Sequence, residues 1–406
     1  MADVVVKYGF PFVFFVAYVV FCIKQRSTNI RLAALFFTSA VSFSQNFVFV
    51  FREVHQFIQL FLVCMLILLI SKRRKLSKVI GLFSVFALFV FLSIGAAPFD
   101  SDVKVQTANF ILVFLILTFL FTAIHSVADL ISLLKYIGFL GFLLSCSGIF
   151  EYLIGGTDRI EGTFANPNYF ALFVALSWVL VLSYCNSFIK YFFIAVMTVS
   201  LFLSGSRSAL VIPLIHFCWL FYRGALGYRR LAYGFMFLLG IFILFSSGLT
   251  RFSSLETSAS DAERLIFAKM AINMAYDNPA FGVGWGRFVS EYSNYSISVN
   301  KVDLSSGSID PTKYDRRVTH NDLLRILAEL GFLAFFICVY FVAKTFVIIV
   351  RYHGFNVPPL FACWTGIVFF SFTHNNLNTA MTWFFIFLPW FVFYKCKASK
   401  YVSHVN

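Results

Sequence analysis

Residues 107–124 read TANFILVFLILTFLFTAI, eighteen positions without a charged side chain. At about 1.5 Å per residue such a run reaches roughly 27 Å as a helix, close to the hydrocarbon thickness of a bilayer. Its apolar residues follow one another without the period-two alternation of a barrel strand. Backbone N–H and C=O groups find no water in lipid, so the run reads as a membrane-crossing helix. Comparable runs recur at 8–23, 33–50, 55–71, 79–96, 134–153, 168–185, 189–204, 208–222, 231–248, 321–343, 357–373 and 379–394. The chain is therefore expected to be an all-α polytopic membrane protein with 12–13 transmembrane helices. Composition agrees: 60% of the 406 residues are apolar, 57 are Phe, and 12% are charged. The charged share is about half that of a soluble domain, which excludes a soluble enzyme, a disordered tail or a disulfide miniprotein. The net charge of +14 is scattered between apolar runs, so no nucleic-acid partner is expected.

The charges orient the bundle. Lys24, Arg26 and Arg31 follow the first span, and Lys72, Arg73, Arg74, Lys75 and Lys78 follow the third. Arg223, Arg229 and Arg230 follow the ninth, Arg351 the eleventh, and Lys395, Lys397 and Lys400 the last. With thirteen spans all these clusters fall on one side, which the positive-inside rule assigns to the cytoplasm. The N-terminus is then outside and the C-terminus cytoplasmic. Only Lys7 precedes the first run and no small-residue cleavage site follows it, so the run is expected to be retained. The eight Cys lie in or beside spans without a CxxC, which suits packing better than metal binding or disulfides.

Residues 249–320 are too long for an ordinary connection and fall on the outer side. The expected organisation is a bundle of about ten spans over 1–248, an outer loop over 249–320, and about three spans with a basic tail over 321–406. The loop carries its own helix signal. Ser260 and Glu263 have capping-box spacing, Leu265, Ile266, Met270, Asn273 and Met274 recur with helical period, and Asp277-Asn278-Pro279 stops them. The apolar stripe predicts a helix lying on the membrane or the bundle. Gly282, Gly284 and Gly286 do not open a βαβ unit, so they predict a tight turn with close backbone approach.

A second basic set, Arg159, Arg207, Arg264, Arg287, Arg316, Arg317 and Arg325, maps to the outer side. Topology does not require these residues. The planar fork of Arg suits phosphate and carboxylate, and each alone is as well explained by a salt bridge or an interfacial side chain. Arg207 stands in Ser204-Gly205-Ser206-Arg207 at a helix start, where guanidinium and backbone N–H can meet one anion. Arg264 lies near the positive end of the loop helix. His320, where the loop meets the eleventh span, is a candidate general base or a cap. Asn166-Pro167-Asn168 reads as a helix start that can also hydrogen-bond a sugar. The Thr-His-Asn string of 319–321 recurs at 373–375.

The order Gly-Thr-x-x-Asn-Pro-Asn (162–168), Gly-Ser-Arg-Ser-Ala (205–209), Asn-Pro-x-x-Gly-Val-Gly-x-Gly-x-Phe (278–288), then His320-Asn321 with Glu329-Leu330-Gly331, resembles the O-antigen ligase and polymerase superfamily. The strings match over about 160–335, and the topology agrees along the chain. The resemblance implies a GT-C type membrane glycosyltransferase in the bacterial inner membrane, with its active site facing the periplasm. Its donor would be an undecaprenyl-diphosphate-linked glycan, and its acceptor a lipid-linked repeat unit or the lipid A core. Membrane lipids and a chain-length regulator protein would be further partners. Family roles fall on Arg207 and Arg264 as diphosphate binders and on His320 as the essential histidine. Arg159, Asn166, Asn168, Ser206, Arg287, Arg316, Arg317 and Arg325 are the further candidate contacts to diphosphate or glycan. Ala334 stands where the family's histidine string often has a second Gly, which tilts the reading from ligase towards polymerase.

The expected chemistry is direct displacement of a diphosphate, its charge met by Arg, with no metal or cofactor. Asp100-Ser-Asp102 is the alternative cation site, better read as a polar cap or loop. A lipid flippase is the distant rival, since few ionisable residues occupy the spans.

Overall fold

A computed structural model describes residues 10–25, 27–42, 78–95, 101–156, 159–164, 166–185, 188–222, 255–291, 294–295, 319–351, 359–377 and 379–403. They form twelve helices: α1 (Phe10–Lys24), α2 (Thr28–Ser42), α3 (Lys78–Gly95), α4 (Ser101–Ala123), α5 (Val127–Gly155), α6 (Pro167–Tyr184), α7 (Ile189–Ser204), α8 (Arg207–Tyr222), α9 (Leu255–Asp277), α10 (Asp322–Arg351), α11 (Leu360–Ser371) and α12 (Ala380–Ser403). No strand occurs among the described residues. Within α4, α5, α6 and α10 lie windows long and apolar enough to cross a membrane, and shorter apolar helices accompany them. The protein is an all-α, multi-pass membrane protein. The spans expected at 55–71 and 231–248 lie outside the described residues, and each of the other eleven has its helix.

Local chemistry sets the helix ends. Ser126 caps α5 in a capping box with Asp129, and Gly156, left-handed at φ 61°, closes it. Asn166 caps α6, with Pro167 in its first turn. Asn321 accepts from the N–H groups of Leu323 and Leu324 and so caps α10. Pro213 in α8 and Pro389 in α12 sit inside helices, as membrane helices tolerate when neighbours satisfy the freed groups.

Packing uses small residues and Phe. A Cβ on Gly141 would lie 2.1 Å from Ser177 Cβ, so α5 and α6 approach closely. Phe83 meets Phe110, Phe114, Trp383 and Phe387, which joins α3, α4 and α12 through edge and stacked contacts.

The loop helix corrects one expectation. α9 begins at Leu255, so Ser260 lies inside the helix and does not cap it. Capping-box spacing is a local signal, and the Leu, Glu and Ala of 255–259 extend the helix backwards. The stop at Asp277 is as expected. Ile266, Phe267, Met270, Ala271 and Met274 are buried, packed with Val283, Phe288 and Ala328, while Leu265 is exposed. The helix thus lies on the bundle through α10.

Candidate functional site

Three polar assemblies converge where α5, α7 and α11 end and α6, α8 and α10 begin. The first is a seam around Arg159. Its Nε donates to the carbonyl of Ser204 in the last turn of α7 at 2.8 Å, and its Nη2 to Asn168 Oδ1 at 3.1 Å. The guanidinium therefore serves the negative end of α7 while holding the first turn of α6. Glu151 shapes the approach by accepting from the N–H groups of Glu161 (3.1 Å) and Gly162 (2.6 Å). Asn166 Oδ1 is engaged by the N–H of Asn168 at 2.8 Å, which makes it a cap. Gly205 ends α7 and Arg207 opens α8, so Ser206 occupies the junction. Its side chain is buried, and its hydroxyl has no hydrogen-bond partner among the described residues. Arg207 is exposed beside it, at the positive end of α8.

The second assembly joins the two Thr-His-Asn strings. Thr319 Oγ1 donates to the carbonyl of Asn321 at 2.8 Å and lies 3.3 Å from Asn375 Oδ1. The carboxylate of Asp322 accepts from the backbone N–H of Asn376 (2.8 and 2.9 Å) and of Leu377 (3.3 Å). The hydroxyl of Tyr169, next to Asn168 on α6, donates to the carbonyl of Asn375. His320 has φ 50°, the one left-handed residue other than Gly among those described. Since Asn321 supplies the cap, the His320 side chain is not needed for capping. Such backbone outliers concentrate at functional sites. Its ring lies 6.4 Å from that of Phe267 on α9. His374 stacks on Phe370 at 4.2 Å and shares a 2.8 Å hydrogen bond between Nδ1 and Thr373 Oγ1. Burial, then the positive charges of Arg264 and His320, with a smaller push from Arg159, bring its pKa down to about 4. The charge of Arg264, exposed on α9, thus acts on this assembly.

The third assembly is a clasp. α10 is interrupted at Gly331 (φ 79°, ψ −178°). Residues 279–284 dock there: Val283 N–H donates to Ala328 O (2.9 Å), Gly284 N–H to Glu329 O (3.1 Å), and Phe332 N–H to Pro279 O (3.0 Å). The approach leaves no room for a side chain, since a Cβ on Gly282 would stand 2.3 Å from Ala328 O. Glu329 accepts from Gly286 N–H (3.0 Å), Phe288 N–H (3.3 Å) and Arg325 Nε (3.1 Å). Arg325 also donates to Gln106 Oε1 (3.3 Å) and lies over Trp285 at 4.7 Å.

The structure thus gathers Arg159, Asn168, Ser206 and Arg207 on one seam, and Arg264 with His320 on the other. The field of Arg159 at His374 links them. Arg287 instead pairs with Glu291 at 2.8 Å. Arg325 is 2% exposed and turned into the clasp, away from any ligand outside. Arg316 and Arg317 lie outside the described residues, as does Asp100. Sequence reasoning passed over His374, Asp322, Tyr169 and Glu329. The repeated Thr-His-Asn string signalled the first, and the four-residue spacing of Arg325 and Glu329 signalled the last.

Residues 192–339 match the family model described as O-Antigen ligase. The match runs from α7 into α10 and contains Arg207, Arg264 and His320. Comparison with curated proteins returns no match.

Proposed function

We propose, from the match of residues 192–339 to the O-antigen ligase family model, that the chain transfers a glycan from undecaprenyl diphosphate to a sugar hydroxyl at the periplasmic face of the inner membrane. The observation that supports this reading is the joining of the 319–322 and 373–377 strings through Thr319, Asn375, Asp322 and Asn376, where the positive charges of Arg264, His320 and Arg159 act on His374. Anionic diphosphate is the leaving group such a positive field favours. Arg207 and Arg264 hold it, with the amide end of α8 and Ser206 beside Arg207. Arg159 and Asn168 border the same space. As the acceptor oxygen attacks the anomeric carbon, the bond from that carbon to the phosphate oxygen breaks. The electron pair goes to the diphosphate, and the acceptor proton goes to His320. The sugar's configuration inverts. Fixed cations that meet developing charge supply the main stabilisation and need no metal.

We favour the polymerase reading, in which the acceptor is the next lipid-linked repeat unit. Ala334 in place of the family's second Gly supports it. The test uses purified protein with a synthetic lipid-linked repeat unit, with and without chelator. Chelator-resistant chain growth supports the polymerase reading, whereas transfer only onto lipid A core assigns a ligase. His320→Ala, Arg207→Ala and Arg264→Ala should insert normally and lose about 10²-fold or more in rate. Full activity in all three would overturn the site.

A further inference from the structure

We propose that His374 is a second functional histidine, which works as a pair with His320 in receiving the acceptor's proton, and that the donor's diphosphate arms the pair. This rests on the glycosyl-transfer reading above.

Geometry holds the ring in place. Thr373 Oγ1 donates to the carbonyl of Phe370 at 3.0 Å and lies 2.8 Å from His374 Nδ1. In the neutral imidazole one of the two ring nitrogens carries a lone pair. Phe370 holds the ring plane, stacked at 12°. The Thr319–Asn375 and Asp322–Asn376 contacts bring the 319–322 string against the 373–377 string, so the two histidines answer to each other's charge.

The positive charges that act on His374 are those of Arg264 on α9, of His320 at the entry to α10 and, more weakly, of Arg159 in the segment before α6. Asp322 and Tyr169 reach its turn through Asn376 and Asn375. These three positive groups oppose protonation of the His374 ring. A bound diphosphate counters that field. The histidine pair then shares the proton that His320 receives when the acceptor O–H attacks, and the departing diphosphate or water carries it away. Proton acceptance is thus tied to the presence of the donor, which would discourage attack by water or acceptor in an unloaded site. The two coupled rings act as one proton-accepting unit.

The experiment has two arms. Calorimetric titration of the full-length protein with inorganic pyrophosphate, at about pH 5.5 in buffers of different ionisation enthalpy, counts protons taken up. The wild type should take up about one more proton than His374→Gln at similar affinity. Equal uptake, or no pyrophosphate binding, overturns the proposal without touching glycosyl transfer. In the second arm, single-turnover transfer by His374→Gln should fall about 10²-fold with donor KM nearly unchanged. The His320→Ala/His374→Gln double variant should be little worse than either single variant, as expected of residues acting as a unit. Multiplicative losses overturn the pairing. A wild type that takes up the proton but transfers no glycan would sink the functional reading alone.

Discussion

Both carboxylate oxygens of Asp322 accept the backbone N–H of Asn376, at 2.8 and 2.9 Å. The carboxylate is 2% exposed, and it fastens the first turn of α10 to the turn between α11 and α12. It thereby sets the distance between the two histidine strings. In Asp322→Asn one of the two oxygens becomes an amide donor facing an N–H. Leaving such buried groups unmatched costs about 1–3 kcal/mol. We expect a lowered thermal midpoint in detergent, together with a loss of transfer rate larger than the unfolded fraction explains. A variant with the wild-type rate would show that the spacing of the strings is unimportant.

The clasp yields a prediction that separates backbone strain from steric conflict. Gly156 and Gly282 have nearly the same left-handed φ, 61° and 63°. A Cβ at Gly156 meets nothing within 4 Å, whereas at Gly282 it would meet the Ala328 carbonyl at 2.3 Å. Gly156→Ala should cost only the left-handed penalty of about 1–2 kcal/mol. Gly282→Ala must also push the loop off α10, exposing the Ala328 and Glu329 carbonyls at the break. Limited proteolysis should cut the 278–291 segment faster in Gly282→Ala and leave Gly156→Ala unchanged. Equal protection of the two would contradict the clasp.

How far the sequence foretold all this can be judged residue by residue. The spans were readable because lipid tolerates no unpaired backbone, so long apolar runs have few alternatives. The glycines of 282–286 announced a close approach, but not that its partner is the broken turn of α10. That partner lies over forty residues away and is chosen by packing. Arg325 was read as a ligand contact from its side of the membrane. The direction of a side chain depends on helix phase, and its phase points to Glu329 and Trp285. Ser260 misled because a capping box is a local pattern that a longer helix can absorb. His374 was visible as half of a repeated string, and its role appears only when Asp322 brings the halves together.

The buried pair in the clasp gives an unequal response to its two deletions. Removing Arg325 leaves Glu329 still accepting from the N–H groups of Gly286 and Phe288. Removing Glu329 orphans both of those donors and leaves the Arg325 guanidinium buried at 2% exposure without its carboxylate. Breaking a buried pair from one side costs about 3–5 kcal/mol. Glu329→Ala should therefore destabilise more than Arg325→Ala, measured as the detergent concentration or temperature at which each variant aggregates. The double variant should recover part of the loss of Glu329→Ala. The reverse order would mean that the N–H contacts are dispensable.

One component of the protein's pH response follows from His374. Its pKa falls from 6.5 to about 4, first through burial and then through the charges of Arg264 and His320. Between those values the unfolded chain binds a proton that the folded chain refuses. The contribution of His374 to stability therefore rises with pH across this window and is lost as the pH falls through it. In His374→Gln no titrating ring remains at this position. Its thermal midpoint should decline less between about pH 6.5 and 4.5 than the wild type's. Inorganic pyrophosphate should flatten the wild-type slope by easing protonation of the ring, and should leave the slope of the variant nearly as it was. Parallel slopes for the two proteins, with and without the anion, would place the acid sensitivity elsewhere in the chain.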